Sequence, residues 1–164
     1  MAAVAAGRLL DRHGETSWEQ RATAALLYGG PGAVITGLAA LRNYGVRAPD
    51  PGVVDVLVPA GRDRQGRALV AIHCTRRMPQ QWTVDGFLRF ALPPRAVADT
   101  VRELIRVTDA RAVVAGAVQQ GHCTVGQLAA ELRQGPIRGS AQLPAVLAEV
   151  IDGIRSVPEA TSAA

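Results

Sequence analysis

Lysine is missing altogether, and the 18 basic residues are all arginine. The chain therefore offers no P-loop lysine, no Schiff-base lysine and no lysine of a Glu-x-Lys nuclease site. Other catalytic signatures are missing too: there is no G-x-S-x-G, no H-E-x-x-H and no Cys-x-x-Cys. Gly29–Gly32 is glycine-rich but lacks the spacing of a dinucleotide fingerprint and reads as a turn. The carboxylates Asp55, Asp85 and Asp99 are scattered, and spacing gives His13, His73 and His122 no serine or acidic neighbour. These absences point to a non-enzymatic protein without catalytic residues or cofactor. No apolar run approaches the roughly 18 residues that span a bilayer. Met1–Gly7 has neither the basic start nor the apolar segment of a secretory signal. On these grounds the chain reads as cytoplasmic and without a membrane partner.

Cysteine is scarce: Cys74 and Cys123, each preceded by histidine (His73 and His122). Two His-Cys pairs raise zinc as a candidate. Familiar zinc sites, however, space their paired ligands two to five residues apart, and neighbours on a strand point to opposite faces. The preferred reading has no metal, with Cys74 a buried small apolar residue and His73 on the other face.

The 164 residues, 48% hydrophobic and 20% charged, fit one ordinary domain with a small appendage. The formal charge is +4, and it is concentrated. Between positions 62 and 77 stand Arg62, Arg64, Arg67, Arg76 and Arg77 against one acid, Asp63, so this stretch accounts for the whole net charge. Two readings stay open: a solvated hairpin with a basic tip, or a surface for phosphate or an acidic partner.

Periodicity orders the chain. Thr16–Glu19 reads as a capping box ahead of a helix with Trp18, Ala22, Ala25 and Leu26 on its apolar face. Ala33–Ile35 is a short extended piece, and Thr36 caps a helix that Gly45 stops. Val53–Val58, apolar on both faces except at Asp55, and Ala68–Thr75 read as two covered strands joined by a long hairpin loop that displays the arginines. Val84-Asp85-Gly86 turns into a third strand, Phe87–Leu92. Helices follow from Pro93-Pro94, from Asp109 and from a second capping box at Thr124–Gln127, with a last helix capped by Ser140. The turn Gly121-His122-Cys123 imitates a helix-turn-helix, but its second helix carries one base and one acid, which suits packing better than polyanion recognition. The expected fold is α+β: a small, mainly antiparallel sheet of about three to four strands, about five to six helices and a helical C-terminal half. The expected layout is a flexible segment 1–15, a core 16–134, a linker and helix 135–155, and a disordered tail 156–164.

Several stretches resemble the AbiEi-like antitoxins and transcriptional regulators of type IV toxin-antitoxin systems, especially the actinobacterial branch. They are Glu19-Gln20-Arg21 through Leu27, Gly30–Val34, Thr36–Gly45, Val56–Pro59, Arg76–Pro79, Asp85-Gly86, Pro93–Asp99 and Ala115–Leu132. Their order and spacing, over most of residues 19–160, carry the resemblance. It implies an α/β core, a regulatory role, promoter DNA as a partner and a nucleotidyltransferase-like toxin as functional counterpart. Such proteins usually place a winged helix before this core, and some continue into a Vsr-like nuclease domain; here we expect neither.

The leading expectation is thus a non-enzymatic regulator touching DNA phosphates through Arg62, Arg64, Arg67, Arg76 and Arg77, whose planar forks pair with phosphate oxygens. Five such contacts imply a log–log salt slope of about −4 to −5. The alternative is a protein-interaction domain, or a stand-alone remnant of a nuclease-associated regulator. In either case Arg95 and Asp99 are read as a structural i, i+4 pair at a helix start.

Overall fold

The computed structural model describes residues 16–48, 50, 52–62, 65–104 and 107–135, together with 144, 145, 148, 149 and 152. In chain order the elements are α1 (Trp18–Gly29), β1 (Val34–Ile35), α2 (Gly37–Asn43), β2 (Val54–Pro59), β3 (Val70–Thr75), β4 (Trp82–Asp85), β5 (Leu88–Ala91), α3 (Pro93–Glu103), α4 (Val107–Gln119) and α5 (Val125–Gln134).

Local chemistry accounts for the helix ends. Ser17 caps α1 and Gln20 reaches back to the Ser17 amide, so the capping box sits one residue later than the Thr16/Glu19 reading. Thr124 and Gln127 form the same reciprocal pair at α5. Pro93 and Pro94 occupy the first turn of α3, where an amide hydrogen has no intrahelical partner. Thr36 stands at the α2 cap, yet its side chain makes no cap bond.

The sheet overturns the expected fold class. It has five strands in the order β3-β2-β1-β5-β4 and is mixed, with β2–β3 and β1–β5 parallel and β1–β2 and β4–β5 antiparallel. The apolar run marks β2 correctly as covered, whereas the same reading of Ala68–Thr75 is corrected, since β3 is a half-exposed edge strand; neither pattern reports the direction of the neighbour. The two-residue β1, too short to register as a strand in sequence, lies at the centre with Val34 and Ile35 both buried. Val84 and Asp85, expected in the turn before the third strand, instead belong to the strand β4. The C-terminal half accordingly opens with the β4–β5 hairpin, and the expectation of a helical C-terminal half is corrected with it. Of the proposed boundaries, 1–15, 156–164 and most of 135–155 lie outside the described residues; of the last expected helix only 144, 145, 148, 149 and 152 are described, all helical.

The expected arginine hairpin does not form. β3 runs parallel to β2 in continuous register from Val54–Val70 to Pro59–Thr75, so the two strands are joined by a crossover and not by a hairpin. Parallel pairs ordinarily need a dozen or more residues, usually with a helix. This shorter path is held by the end of α1, where Arg62 Nη1 donates to the Gly29 carbonyl (3.0 Å) and the Tyr28 hydroxyl to the Gln65 carbonyl (3.0 Å). Arg67 and Val70 then exchange amide bonds (2.8 and 3.0 Å), turning the chain into β3.

Directly paired residues share a face. Val56, Ile35 and Phe90 stand in one row, with Val54 and Val58 on the same side, and α1 covers them. Gly29 packs so close that a Cβ there would stand 2.9 Å from Val56 Cγ1. The opposite face carries Val34, Asp55, Leu57 and His73, with α2 and α3 packed together nearby. Buried alanines in α1, α2 and α3 (Ala22, Ala25, Ala39, Ala40, Ala96, Ala98) permit this close layering.

Candidate functional site

Of the five arginines assigned to phosphate contact, the four that are described do not share one tip. Arg62 is committed to the Gly29 carbonyl. Arg77 pairs with Glu131 and donates to Gln134 Oε1 (3.1 Å), fastening the end of β3 to α5. Arg64 lies outside the described residues. Arg67 and Arg76 are exposed, one before β3 and the other after it. Six strand residues separate them by about 20 Å.

A polar network instead occupies the face covered by α3. Arg95 Nε bonds both oxygens of Asp99 (2.9 and 2.8 Å), one helical turn on, and its Nη1 donates to the Arg77 carbonyl (2.9 Å). Asp99 also accepts from the Thr36 hydroxyl (2.7 Å) and from Arg102 Nη1 (3.1 Å). The Thr36 side chain is thus drawn away from its helix cap to join α2 to α3. Arg95 and Arg102 side chains are each only 10% exposed, so this is an interior network and not a surface ion pair. Arg102 is its weak member: among the described residues its buried Nε and Nη2 find no hydrogen-bond partner, and burial pushes the guanidinium below the usual arginine range. Sequence reasoning found the Arg95/Asp99 spacing and missed Arg102, three residues past Asp99 on the same helix face, and Glu131.

Beside this network a cavity of about 280 Å³ opens over the β2–β3 floor, lined by Asp55, Leu57, His73, Asp99, Glu103 and Leu104 among others. Asp55 and Asp99, scattered in sequence, meet here. His73 Nε2 lies 2.8 Å from Asp55 Oδ1 and its Nδ1 3.9 Å from Glu103. The Asp55 hydrogen bond raises the imidazole above the usual histidine value; burial opposes this, and the charges of Asp55, Glu103 and Asp99 reinforce it. The arrangement can hold a proton between carboxylates on two elements. Among the described residues no group of three or more His, Cys, Asp and Glu side chains is arranged to hold a metal ion.

His73 does face away from Cys74, but Cys74 is exposed rather than buried, its thiol donating to the Arg62 carbonyl (3.4 Å). β3 is an edge strand of the sheet among the described residues, which leaves Cys74 open to solvent. Cys123 is the buried cysteine, and burial raises its thiol above the usual range. Among the described residues no helix is long and apolar enough to cross a membrane. No protein-family model matches the chain, and no curated protein matches it.

Proposed function

We propose that this chain is a non-enzymatic regulatory domain of the AbiEi-like kind, acting in the cytoplasm as an antitoxin or transcriptional regulator opposite a nucleotidyltransferase-like toxin. One observation carries the reading: separate stretches that resemble the family meet in a single network. Thr36 comes from the Thr36–Gly45 stretch, Arg77 from Arg76–Pro79, Arg95 and Asp99 from Pro93–Asp99, and Glu131 from Ala115–Leu132. What these stretches have in common is the locking of α2, α3 and α5 onto the sheet, an architectural role.

Contact with promoter DNA falls to the exposed arginines. Arg62 and Arg77 are held by protein partners, which leaves Arg67 and Arg76 at the two ends of β3, with Arg64 outside the described residues. Two phosphate contacts give a log–log salt slope of about −2, and a third about −3, in place of −4 to −5. The test is fluorescence anisotropy of the purified chain with DNA from upstream of its own gene and with a scrambled duplex, at several salt concentrations. Preference for its own DNA, a shallow slope and loss of binding in Arg67→Gln/Arg76→Gln support the reading. Absence of binding at low salt removes the DNA contact.

A protein-interaction domain is the second reading, favoured by one feature. The exposed apolar side chains Leu27 and Phe87 line a common hollow with Leu26, Pro31 and Ala33. Such a patch suits an apolar partner surface better than a phosphate backbone. Loss of DNA binding with retained capture of the toxin protein would favour it.

A further inference from the structure

β4 ends the sheet: β5 pairs with one side, and among the described residues no strand pairs with the other. Its turn determines which backbone groups look outward. Asp85-Gly86-Phe87-Leu88 is a two-residue hairpin connection with Gly86 at φ +61° and Phe87 not at positive φ, as a type II′ turn requires. Asp85 and Leu88 close such a turn as a hydrogen-bonded pair, and the antiparallel alternation makes Thr83–Phe90 the next one. The N–H and C=O groups of Trp82 and Val84 therefore point to the open edge.

Among the described residues that edge carries none of the usual protections. Edge strands are usually blunted by proline, lysine, a bulge or an inward charge. β4 has an unbroken register over its four pairs, and its one charge, Asp85, sits at the turn. Trp82 and Val84 share a face and are 42% and 57% exposed, high for large apolar side chains.

The geometry points to a second copy of this chain as the occupant, paired antiparallel along β4 about a two-fold axis through Thr83. The strand is self-complementary in this register, which pairs the most residues, and not in a register shifted by one. Trp82 falls opposite Val84 of the second copy and Val84 opposite its Trp82, so outward backbone groups meet outward groups, with two hydrogen bonds at each of these pairs. On one face this makes two aromatic–β-branched pairs, a favourable cross-strand combination, and on the other it sets Thr83, whose hydroxyl accepts from the Tyr44 hydroxyl (2.8 Å), opposite its counterpart. A slip of one residue would bring the Trp82/Val84 face against the wrong side of the partner strand. The product is a continuous sheet through an isologous dimer. It does not depend on the DNA reading, since neither Arg67 nor Arg76 lies on β4.

Sedimentation equilibrium of the full chain tests it. The expected weight-average mass rises with concentration from 17.2 kDa toward twice that value. Val84→Lys, at an exposed position, weakens association at least about tenfold, a change of 1.4 kcal/mol, while the melting temperature of the dilute protein stays the same. Thr83→Cys in a Cys74→Ser background forms a covalent dimer on oxidation, because the two Thr83 positions form a non-hydrogen-bonded pair with Cα atoms about 4.5 Å apart, within disulfide reach. Asp85→Cys in the same background does not. A single-chain mass at every concentration overturns the proposal, and so does a dimer that Val84→Lys leaves intact and Thr83→Cys fails to link.

Discussion

His73 on β3 lies 2.8 Å from Asp55 on the adjacent parallel strand β2, two residues off direct register and on the same face, since Asp55 pairs with Ala71 and His73 with Leu57. An antiparallel hairpin between these strands would reverse that order. The contact therefore depends on the crossover, and it joins the floor of the cavity to Glu103 at the end of α3.

This pair makes stability pH-dependent in a defined direction. The folded His73 value is raised above the unfolded one, so its contribution is fully present below the unfolded value of about 6.5 and is lost as pH rises through the folded value. Urea midpoints measured in steps from about pH 6 upward should decline across that window in the native chain. The same decline in Asp55→Asn would show that the pair is not its source.

The Asp99 network should respond unequally to its members. Asp99→Asn leaves Arg95 and Arg102 buried without their carboxylate and should cost about 3–5 kcal/mol in urea unfolding. Arg102→Met removes a guanidinium with two unpartnered nitrogens and keeps Arg95 on Asp99, so its cost should stay under about 1 kcal/mol. Equal losses would contradict this division.

Gly37 stands at φ +62°, and a Cβ there would come 2.9 Å from Asp55 Oδ2. Gly37→Ala should destabilise by about 1–3 kcal/mol through backbone strain and displacement of the carboxylate. Because Asp55 holds His73, the same variant should flatten the pH dependence. A destabilised variant that keeps the full dependence would separate the two effects and place the cost in the backbone alone.

The two thiols should be distinguishable without unfolding the protein. Cys74 is exposed, whereas Cys123 is buried and its thiol raised above the usual range. A thiol reagent at neutral pH should modify one equivalent quickly and the second only on the unfolding timescale. Cys74→Ser should abolish the fast phase; if the slow phase vanished instead, the assignment would be reversed.

Helix starts and stops were legible because their causes lie within a few residues. The Thr124/Gln127 box, the Pro93-Pro94 opening and the stop at Gly121 are local hydrogen-bonding and dihedral events. The covered character of β2 was legible for a similar reason: Val54, Val56 and Val58 with Leu57 leave no solvent face, and Asp55 stood out as the one polar residue in the run. Arg95 and Asp99 were visible as a pair at helical spacing. Arginine use was not, because a long side chain takes its partner from whatever the fold brings within reach. Arg62 found a carbonyl at the end of α1 and Arg77 a carboxylate on α5, so a charge cluster in sequence became separate structural ties and two exposed residues.

The sequence by itself determined the Thr124/Gln127 and Pro93-Pro94 helix starts, that β2 is covered, and that the net charge resides between Arg62 and Arg77. Tertiary structure alone decided that β2 and β3 run parallel, that the two-residue β1 holds the centre of the sheet and that Trp82–Asp85 is an edge strand. It also decided that Asp55 and His73 meet. The difference is one of range: caps, turns and periodicity are set by atoms a few residues apart, whereas strand direction and buried ion pairs are set by closure of the whole chain, when apolar faces from distant segments exclude water together.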